Sequence, residues 1–415
     1  MKKILQLLIA LSLSVGNAQT VSTIAGSGAV QTTNGNGTSA SFWRPNGVVK
    51  DSNGNIFISE ETGRVIRKIT PTGDVTVFAG SGNTGNTDGI GTAASFGFLG
   101  SLVIDNQDNM YVGDRGNEII RKITPAGVVT TITSTSGTNC YALCINPNKT
   151  IIYCSGNGRQ IYSLTIATGQ VSLIAGSGSN GNTNGIGTAA SFNLPLGLAV
   201  NPSDTFLYVS DFNNNNIRKI NLSTTEVTTF AGTGISGSND GTTTNATFNA
   251  PIGMVFGSNG DLFISDHFNN KIRKITSTGL VSTVSGTGAS GSYNGSALTA
   301  TYNNPTCLFL ENNTNLIITE YGGNLVRRLS NIALSYNSFN SNSLKFSLYP
   351  NPANSILNID LANELQSVEI YSLQGQKVLS STSKQFNVSD LSSGMYMVRV
   401  QDTDGGVATQ KFVKN

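Results

Sequence analysis

An acidic residue closes an apolar, strand-like run five times along this chain, and an arginine follows seven residues later: Glu60 and Arg67, Asp114 and Arg121, Asp211 and Arg218, Asp266 and Arg273, Glu320 and Arg327. Carboxylates and guanidiniums at fixed spacing can do two kinds of chemistry. They can neutralise one another as ion pairs, or the carboxylates can gather into a ring that holds a metal or a substrate. In one further unit both are missing, with Ser155 and Tyr162 in their places. Joint loss favours the structural ion pair, because a partly buried charge left alone is costly.

Other side chains that could do chemistry are sparse. Asp88 and Asp240, with Asn34, Asn184 and Asn294 at the equivalent position before a glycine, offer oxygen for calcium, but Ca²⁺ needs about six to eight converging oxygens, and turn-making is the ordinary role of Asx-Gly. No cofactor is therefore expected, with calcium as the one candidate. The chain has a single histidine, His267, read as lying in an exposed turn, so a metal site built from several histidines is excluded. Four cysteines stand at Cys140, Cys144, Cys154 and Cys307. Cys140 takes the place of Pro195, Cys307 that of Gly253 and Cys154 that of Ser59 or Ser210, so they read as packed thiols. Cys140 and Cys144 would lie about 13 Å apart in one extended strand, too far to bond.

The elements that position these residues repeat. IRKIT alternates apolar and charged side chains at the period of a pleated strand, a T-G or P-x-G turn follows, and a β-branched run such as VTVFAG completes a hairpin. The last run recurs from Val21, Val75, Val129, Val171, Val227 and Val281, at spacings of 54, 54, 42, 56 and 54 residues. Three further strands lie between consecutive copies, for example GMVFGS from Gly253, DLFISD from Asp261 and KIRKIT from Lys271. A lone hairpin buries little, so neighbouring units must supply the core.

Four strands per unit of this length predict the blades of a β-propeller. The array opens with an outer strand, Val21 to Gly26, that has no partners before it, and ends near Cys307 to Ser330 with three strands that lack a fourth. If the first strand completes the last sheet, six blades close and no edge stays open. The competing arrangement would use Ile332 to Tyr336 instead. Five units carry a long Gly, Asn, Ser and Thr-rich loop before the next inner strand, as in SGNTGNTDGIGTAASFGF from Ser81, and the short unit lacks it.

Composition agrees with an all-β protein: 38% hydrophobic residues, 47 glycines, 12% charged residues and a net charge of +2. That charge gives no field to attract nucleic acid. Residues 1–18 have Lys2 and Lys3, an apolar run from Ile4 to Val15 and small residues to Ala18, the pattern of a cleaved export signal. No later segment has the length and apolarity of a membrane span. The polar stretch 331–342 reads as a linker, and short strands at close spacing follow over 343–415, predicting a small antiparallel β-sandwich.

Two resemblances follow. The pattern P-x-G, G-N-[IL]-[FY], N-x-[IV]-R-K-I and T-P-x-G-x-V-T-T is similar to the NHL repeat and runs over residues 19–330. Residues 343–415 resemble the type A C-terminal sorting domain of the type IX secretion system, through Tyr349-Pro350-Asn351-Pro352, the IYSLQGQKV stretch, Gly394 and Tyr396 in the L-x-x-G-x-Y pair, and Lys411 in the terminal strand. The first implies a six-bladed β-propeller. The second implies contact with the secretion machinery, passage across the outer membrane of a Gram-negative bacterium, and release or attachment at the surface. The function expected is an exported binding or scaffold module with a protein or glycan on its loop face, more readily than an enzyme. The alternative is a secreted metal-dependent hydrolase or lyase using acids in the propeller channel.

Overall fold

The computed structural model describes residues 18–134, 140–156, 158–332, 346–372, 377–403 and 407–415. The export signal up to residue 17, the linker from residue 333 and nearly all of the competing strand at 332–336 lie outside the described residues. The chain divides into two compact units, one holding the repeats and one the C-terminal strands.

The repeats fold into six antiparallel sheets of four or five strands. In the first, Pro45–Lys50, Ile56–Glu60, Val65–Ile69 and Asp74–Ala79 lie side by side in that order, and the short strand Gly35–Asn36, from the loop ahead of them, pairs with the outermost. Burial falls from the inside outward. Every residue of Ile56–Glu60 is buried, as a strand covered on both faces must be, whereas Asp74–Ala79 alternates between exposed and buried positions. The core lies between neighbouring sheets. Val49, Phe57, Ile66 and Ala79 of the first unit pack with Phe96, Leu99, Leu102 and Val112 of the second, and the same arrangement joins later pairs.

The sixth sheet takes its outer strand from the other end of the repeats. Thr20–Ala25 pairs antiparallel with Leu325–Ser330, and the register shifts between Thr23 and Ala25. The other five outer pairings carry the same shift, always beside the arginine position, for example between Ile66 and Arg67 and between Ile272 and Arg273. Ala25, Ile317 and Val326 then share a cluster with Phe42, Val48 and Ile58 of the first unit. Side chains bridge the same two units: the Thr319 hydroxyl donates to the Asn46 carbonyl at 2.5 Å, just as Ser59 donates to Gly100 at 2.6 Å and Ser210 to Ile252 at 2.8 Å. The innermost strands follow one another, and Pro305–Glu311 lies against Pro45–Lys50. They enclose a cavity of about 330 Å³ whose wall includes one aliphatic or thioether side chain from each unit at one repeat position: Val48, Leu102, Leu143, Leu198, Met254 and Leu308.

Register corrects two readings in the third unit. Ser155 donates to the Pro195 carbonyl and so stands where Ser59 and Ser210 stand, while Gly156, opposite Cys140, holds the place of the acid. The acid's seven-residue spacing had pointed one residue too early because this unit is one residue shorter there. Cys154 accordingly replaces Ile58 and Val209, not a serine, and its sulfur is hydrogen-bonded to Cys140. None of the four cysteines forms a disulfide.

The C-terminal unit has two sheets, one of Phe346–Tyr349, Ile356–Leu361 and Gln385–Asn387, the other of Lys377–Ser381, Leu365–Ser372, Gly394–Asp402 and Val407–Lys414. Leu357, Ile359, Val368, Val398 and Phe412 fill the space between them. The Pro-rich motif is tied to the last strand: Asn351 donates to the Lys411 carbonyl at 3.2 Å and accepts from the Val413 N–H at 2.9 Å. Tyr396 stacks on Phe412 at 5.5 Å and donates to the Ser392 carbonyl, while Gly394 begins the strand it lies on. Tyr349 ends the first strand, and Pro350 and Pro352 follow cis peptide bonds.

Inner strands that approach this closely need small residues. A Cβ on Gly197 would lie 1.7 Å from the Ile252 carbonyl oxygen of the next unit, and one on Gly253 would lie 2.1 Å from the Thr306 carbonyl. Gly197→Ala should therefore lower the unfolding free energy by about 1–3 kcal/mol, the usual cost of overpacking. Urea denaturation measures it, and an unchanged midpoint would show that the strands can move apart freely.

Candidate functional site

The repeated acids and arginines meet within their own sheets. The distance between guanidinium and carboxylate is 2.5 Å for Arg67 and Glu60, 3.2 Å for Arg121 and Asp114, 3.1 Å for Arg218 and Asp211, and 2.7 Å for Arg273 and Asp266; Arg327 pairs likewise with Glu320. All ten side chains are fully buried. Burial raises the five carboxyls and the guanidinium beside each draws it back; Glu320 is pushed up to about 7.

The loops complete the surroundings of each arginine. Arg121 Nη1 also donates to the Ser95 carbonyl at 2.9 Å, and Nη2 donates to the Thr87 carbonyl at 2.9 Å and to Asp88 at 2.8 Å. Arg273 repeats this with Thr247, Asn239 and Asp240. The residues weighed as calcium ligands thus hold arginine: Asn34, Asn184 and Asn294 accept from Arg67, Arg218 and Arg327. Asp88 and Asp240 accept in addition from the outer-strand N–H of Thr131 and Thr283. Nε of each of the five arginines has no hydrogen-bond partner, but an aromatic ring lies against each guanidinium, Phe42, Phe96, Phe192, Phe248 or Tyr302, 5.0 to 5.7 Å away.

These acids do not reach the central cavity, whose wall carries no Asp or Glu. Among the described residues no three His, Cys, Asp or Glu side chains stand together as a metal-binding group.

A second set of side chains, which the repeat pattern hides, does converge. The residue directly after the buried acid leaves the second strand at the loop-bearing end, and it is Glu61, Arg115, Phe212, His267 or Tyr321 according to the unit. Arg115 bridges to Glu61 at 2.9 Å across two units, Asn46 donates to Glu61 at 3.4 Å, and the Tyr321 hydroxyl lies 3.5 Å from it. Arg44 packs over the Tyr321 ring at 5.1 Å; Arg64 and Arg115 pack over Phe98 at 5.0 and 5.8 Å, and Arg115 also over Tyr141 at 5.4 Å. In the fourth and fifth units, Phe212, His267 and Phe268 form an aromatic group, with Phe212 edge-on to Phe268 and both tilted against His267. Trp43, Phe98 and Phe268 remain 38%, 41% and 53% exposed. This mouth is richer in charge and rings than the Gly, Asn, Ser and Thr of the loops suggested.

His267 is a correction. It is only 7% exposed, starts a short 3₁₀ turn, and sets Nδ1 3.0 Å from the Pro305 carbonyl, so that nitrogen carries the proton. Burial depresses its pKa to about 4, the carbonyl opposing. A depressed histidine is neutral in the folded chain while the unfolded one takes up a proton below about 6.5, so its contribution to stability is complete above that pH and fades as pH falls toward 4. Between pH 6.5 and 4.5, His267→Gln should flatten the loss of stability by up to about 1.4 kcal/mol per pH unit; an unaltered slope in urea titrations would show that His267 is charged in the fold. For the cages, Arg273→Ala should cost about 3–5 kcal/mol by stranding Asp266, and Arg273→Ala with Asp266→Ala should cost less than the sum of the two single changes. Additivity in denaturation measurements would remove the ion pair as the reason for the repeat.

Comparison with known proteins agrees with this division. Residues 347–415 match the family model of the secretion system C-terminal sorting domain. NHL repeat-containing protein 2 of Bos taurus is 36% identical over 95 residues, 22% of this chain and 13% of that protein. Protein SUPPRESSOR OF QUENCHING 1, chloroplastic, of Arabidopsis thaliana is 26% identical over 266 residues, 57% of this chain and 25% of that protein. The chain thus spans a quarter or less of the length of the curated relatives it matches. Among solved structures, a Bacteroides thetaiotaomicron structural genomics protein of unknown function aligns with TM-score 0.64 and 22% identity, covering 75% of this chain and 76% of that one. An auxiliary nutrient binding protein of the same species aligns with TM-score 0.60 and 17% identity, with the same coverage. These neighbours are β-propellers. The chain therefore joins NHL-type repeats in an all-β, propeller-like array to a secretion system C-terminal sorting domain at residues 347–415.

Proposed function

We propose that this protein is an exported binding module: a six-bladed propeller, closed by its first strand, that takes a ligand at the loop-bearing mouth, with the C-terminal domain serving as its address for the type IX secretion system. The observation that carries the binding role is the position after the buried acid. Its neighbours are held alike in every caged unit, yet it shows Glu61, Arg115, Phe212, His267 and Tyr321. Packing alone would favour one residue type there, as it does at the arginine. Five chemically different side chains on equivalent frames are what recognition of an asymmetric ligand requires.

Pairing of Thr20–Ala25 with the sixth sheet and the cross-unit Thr319 bond support closure, and a closed ring has no sheet edge to offer another chain. The sorting domain supports a destination outside the cell or on its surface. Among the described residues no helix is long and apolar enough to cross a membrane. One of the structural neighbours is itself named as an auxiliary nutrient binding protein, which supports a binding role.

Two truncations test the two parts. Removing residues 347–415 should leave the repeats folded but retained within a host that has the secretion system, as read by blotting cells against medium; secretion at the normal level would reject the address. Removing residues 19–25 should expose the strand Leu325–Ser330 and produce aggregation or a large fall in the denaturation midpoint, whereas a monomer of unchanged stability would reject closure.

A further inference from the structure

The mouth is chemically lopsided. Arg44, Arg64 and Arg115, from the first and second units, face one carboxylate, Glu61, and that carboxylate is already taken by Arg115 at 2.9 Å. Among the described residues neither Arg44 nor Arg64 has a carboxylate within ion-pair distance; each instead lays its guanidinium over a ring, Tyr321 at 5.1 Å and Phe98 at 5.0 Å. Stacking covers the face of a guanidinium; Arg44 also hydrogen-bonds the Tyr321 side chain, and its remaining N–H groups are left for a ligand. Arg64 donates through Nη1 to the carbonyl of Thr62, two residues before it, at 3.2 Å, and its Nε is buried, so the Nη1/Nη2 end is the part left for a ligand. Phe98 and Phe268 expose 41% and 53% of their surface beside these groups and in the fifth unit.

The cavity beneath is lined mainly by apolar side chains, Val48, Leu102, Leu143, Leu198, Met254 and Leu308 among them, with Asn46, Ser101, Tyr141 and Lys149 as its polar exceptions. A polar ligand finds more partners at the rim. There it meets two uncompensated positive charges on separate rings, exposed aromatic faces, and amide and hydroxyl groups from the loops.

We infer that the mouth binds an acidic oligosaccharide, with sugar-borne carboxylates on the Arg44 and Arg64 forks and the apolar faces of the sugar rings against Phe98 and Phe268. A planar carboxylate matches a guanidinium edge with two parallel hydrogen bonds. Each free arginine sits on its own ring, in different contacts, which suits charges spaced along a chain. A single phosphate would call for several forks aimed at one point. This inference rests on the mouth being the binding surface.

Titration calorimetry on the purified full chain decides it, with trigalacturonic acid, neutral galactotriose and adenosine monophosphate as probes. Trigalacturonic acid should bind at least about tenfold more tightly than galactotriose, and less tightly as salt is raised. Arg44→Gln and Arg64→Gln should each weaken it by about tenfold, Phe98→Ala should weaken both sugars, and the denaturation midpoint should hold in all three variants. Equal affinity for the neutral sugar, lost together with Phe98, would overturn the acidic ligand and keep the mouth. Tighter binding of the nucleotide, or no binding of trigalacturonic acid, would overturn the saccharide. Binding of trigalacturonic acid that none of the three substitutions alters would overturn the mouth itself.

Discussion

A buried guanidinium is the constraint on which the repeats depend. Arginine offers five N–H donors in a rigid plane and cannot shed its charge, so the fold must surround it or exclude it. Here each arginine is met by an acid from the second strand, two loop carbonyls, an Asx side chain and an aromatic ring. Three separate stretches of chain are thereby fixed to one point: the central strand, the long loop and, through Asp88 or Asp240, the outer strand. Long polar loops rich in glycine carry little apolar surface of their own. Their order in this protein is borrowed from the arginine.

The same constraint explains the third unit. Its connection from Ser134 to Cys140 is five residues long, against nineteen between Ala79 and Leu99, so the long loop that supplies the capping carbonyls and the Asx-Gly pair in the other units is not encoded. An arginine there would lack most of its acceptors, and an acid opposite would lack its counter-charge. Tyr162 and Gly156 occupy the two places, with the Tyr162 hydroxyl donating to Gln160 at 2.8 Å. Loop, arginine and acid are one unit of structure, and they are absent together.

Repetition made much of this legible before any coordinates. The strand order, the outer-strand identity of Val21 to Gly26 and the acid–arginine pairing all followed from what recurs, because a contact needed in several units is written once in each of them. What does not recur stayed hidden. Asn34 and Asp88 looked like turn formers because their glycine neighbours are visible in sequence and their arginine partners, 33 residues away, are not. His267 read as exposed because Asn and Phe surround it, yet the inner-strand carbonyl of Pro305 buries it. The mouth escaped for the most general reason: its side chains differ from unit to unit, so alignment of the repeats discards them as variation. The one available signal was negative, a variable residue fixed in place between an invariant acid and a turn.

Separation of frame from display also divides the residues that carry stability from those to which recognition is assigned by proposal. The acid–arginine pairs lie within the sheets with their side chains fully buried, whereas Arg44, Phe98 and Phe268 project from the frame and take little part in the clusters that join units. A side chain outside those clusters can change without a cavity or a stranded charge, so its replacement costs the fold little. Glu61 and His267 are the exceptions, being buried at the rim, and both are tied to a neighbouring unit, Glu61 through Arg115 and His267 through Pro305. They hold adjacent units in register where the ligand would lie. Because neighbouring units meet within hydrogen-bond distance at these two contacts, a shift at either moves the spacing of Arg44, Arg64 and Phe98 at the rim, and the shape of the mouth is set by the fit between units more than by any single unit.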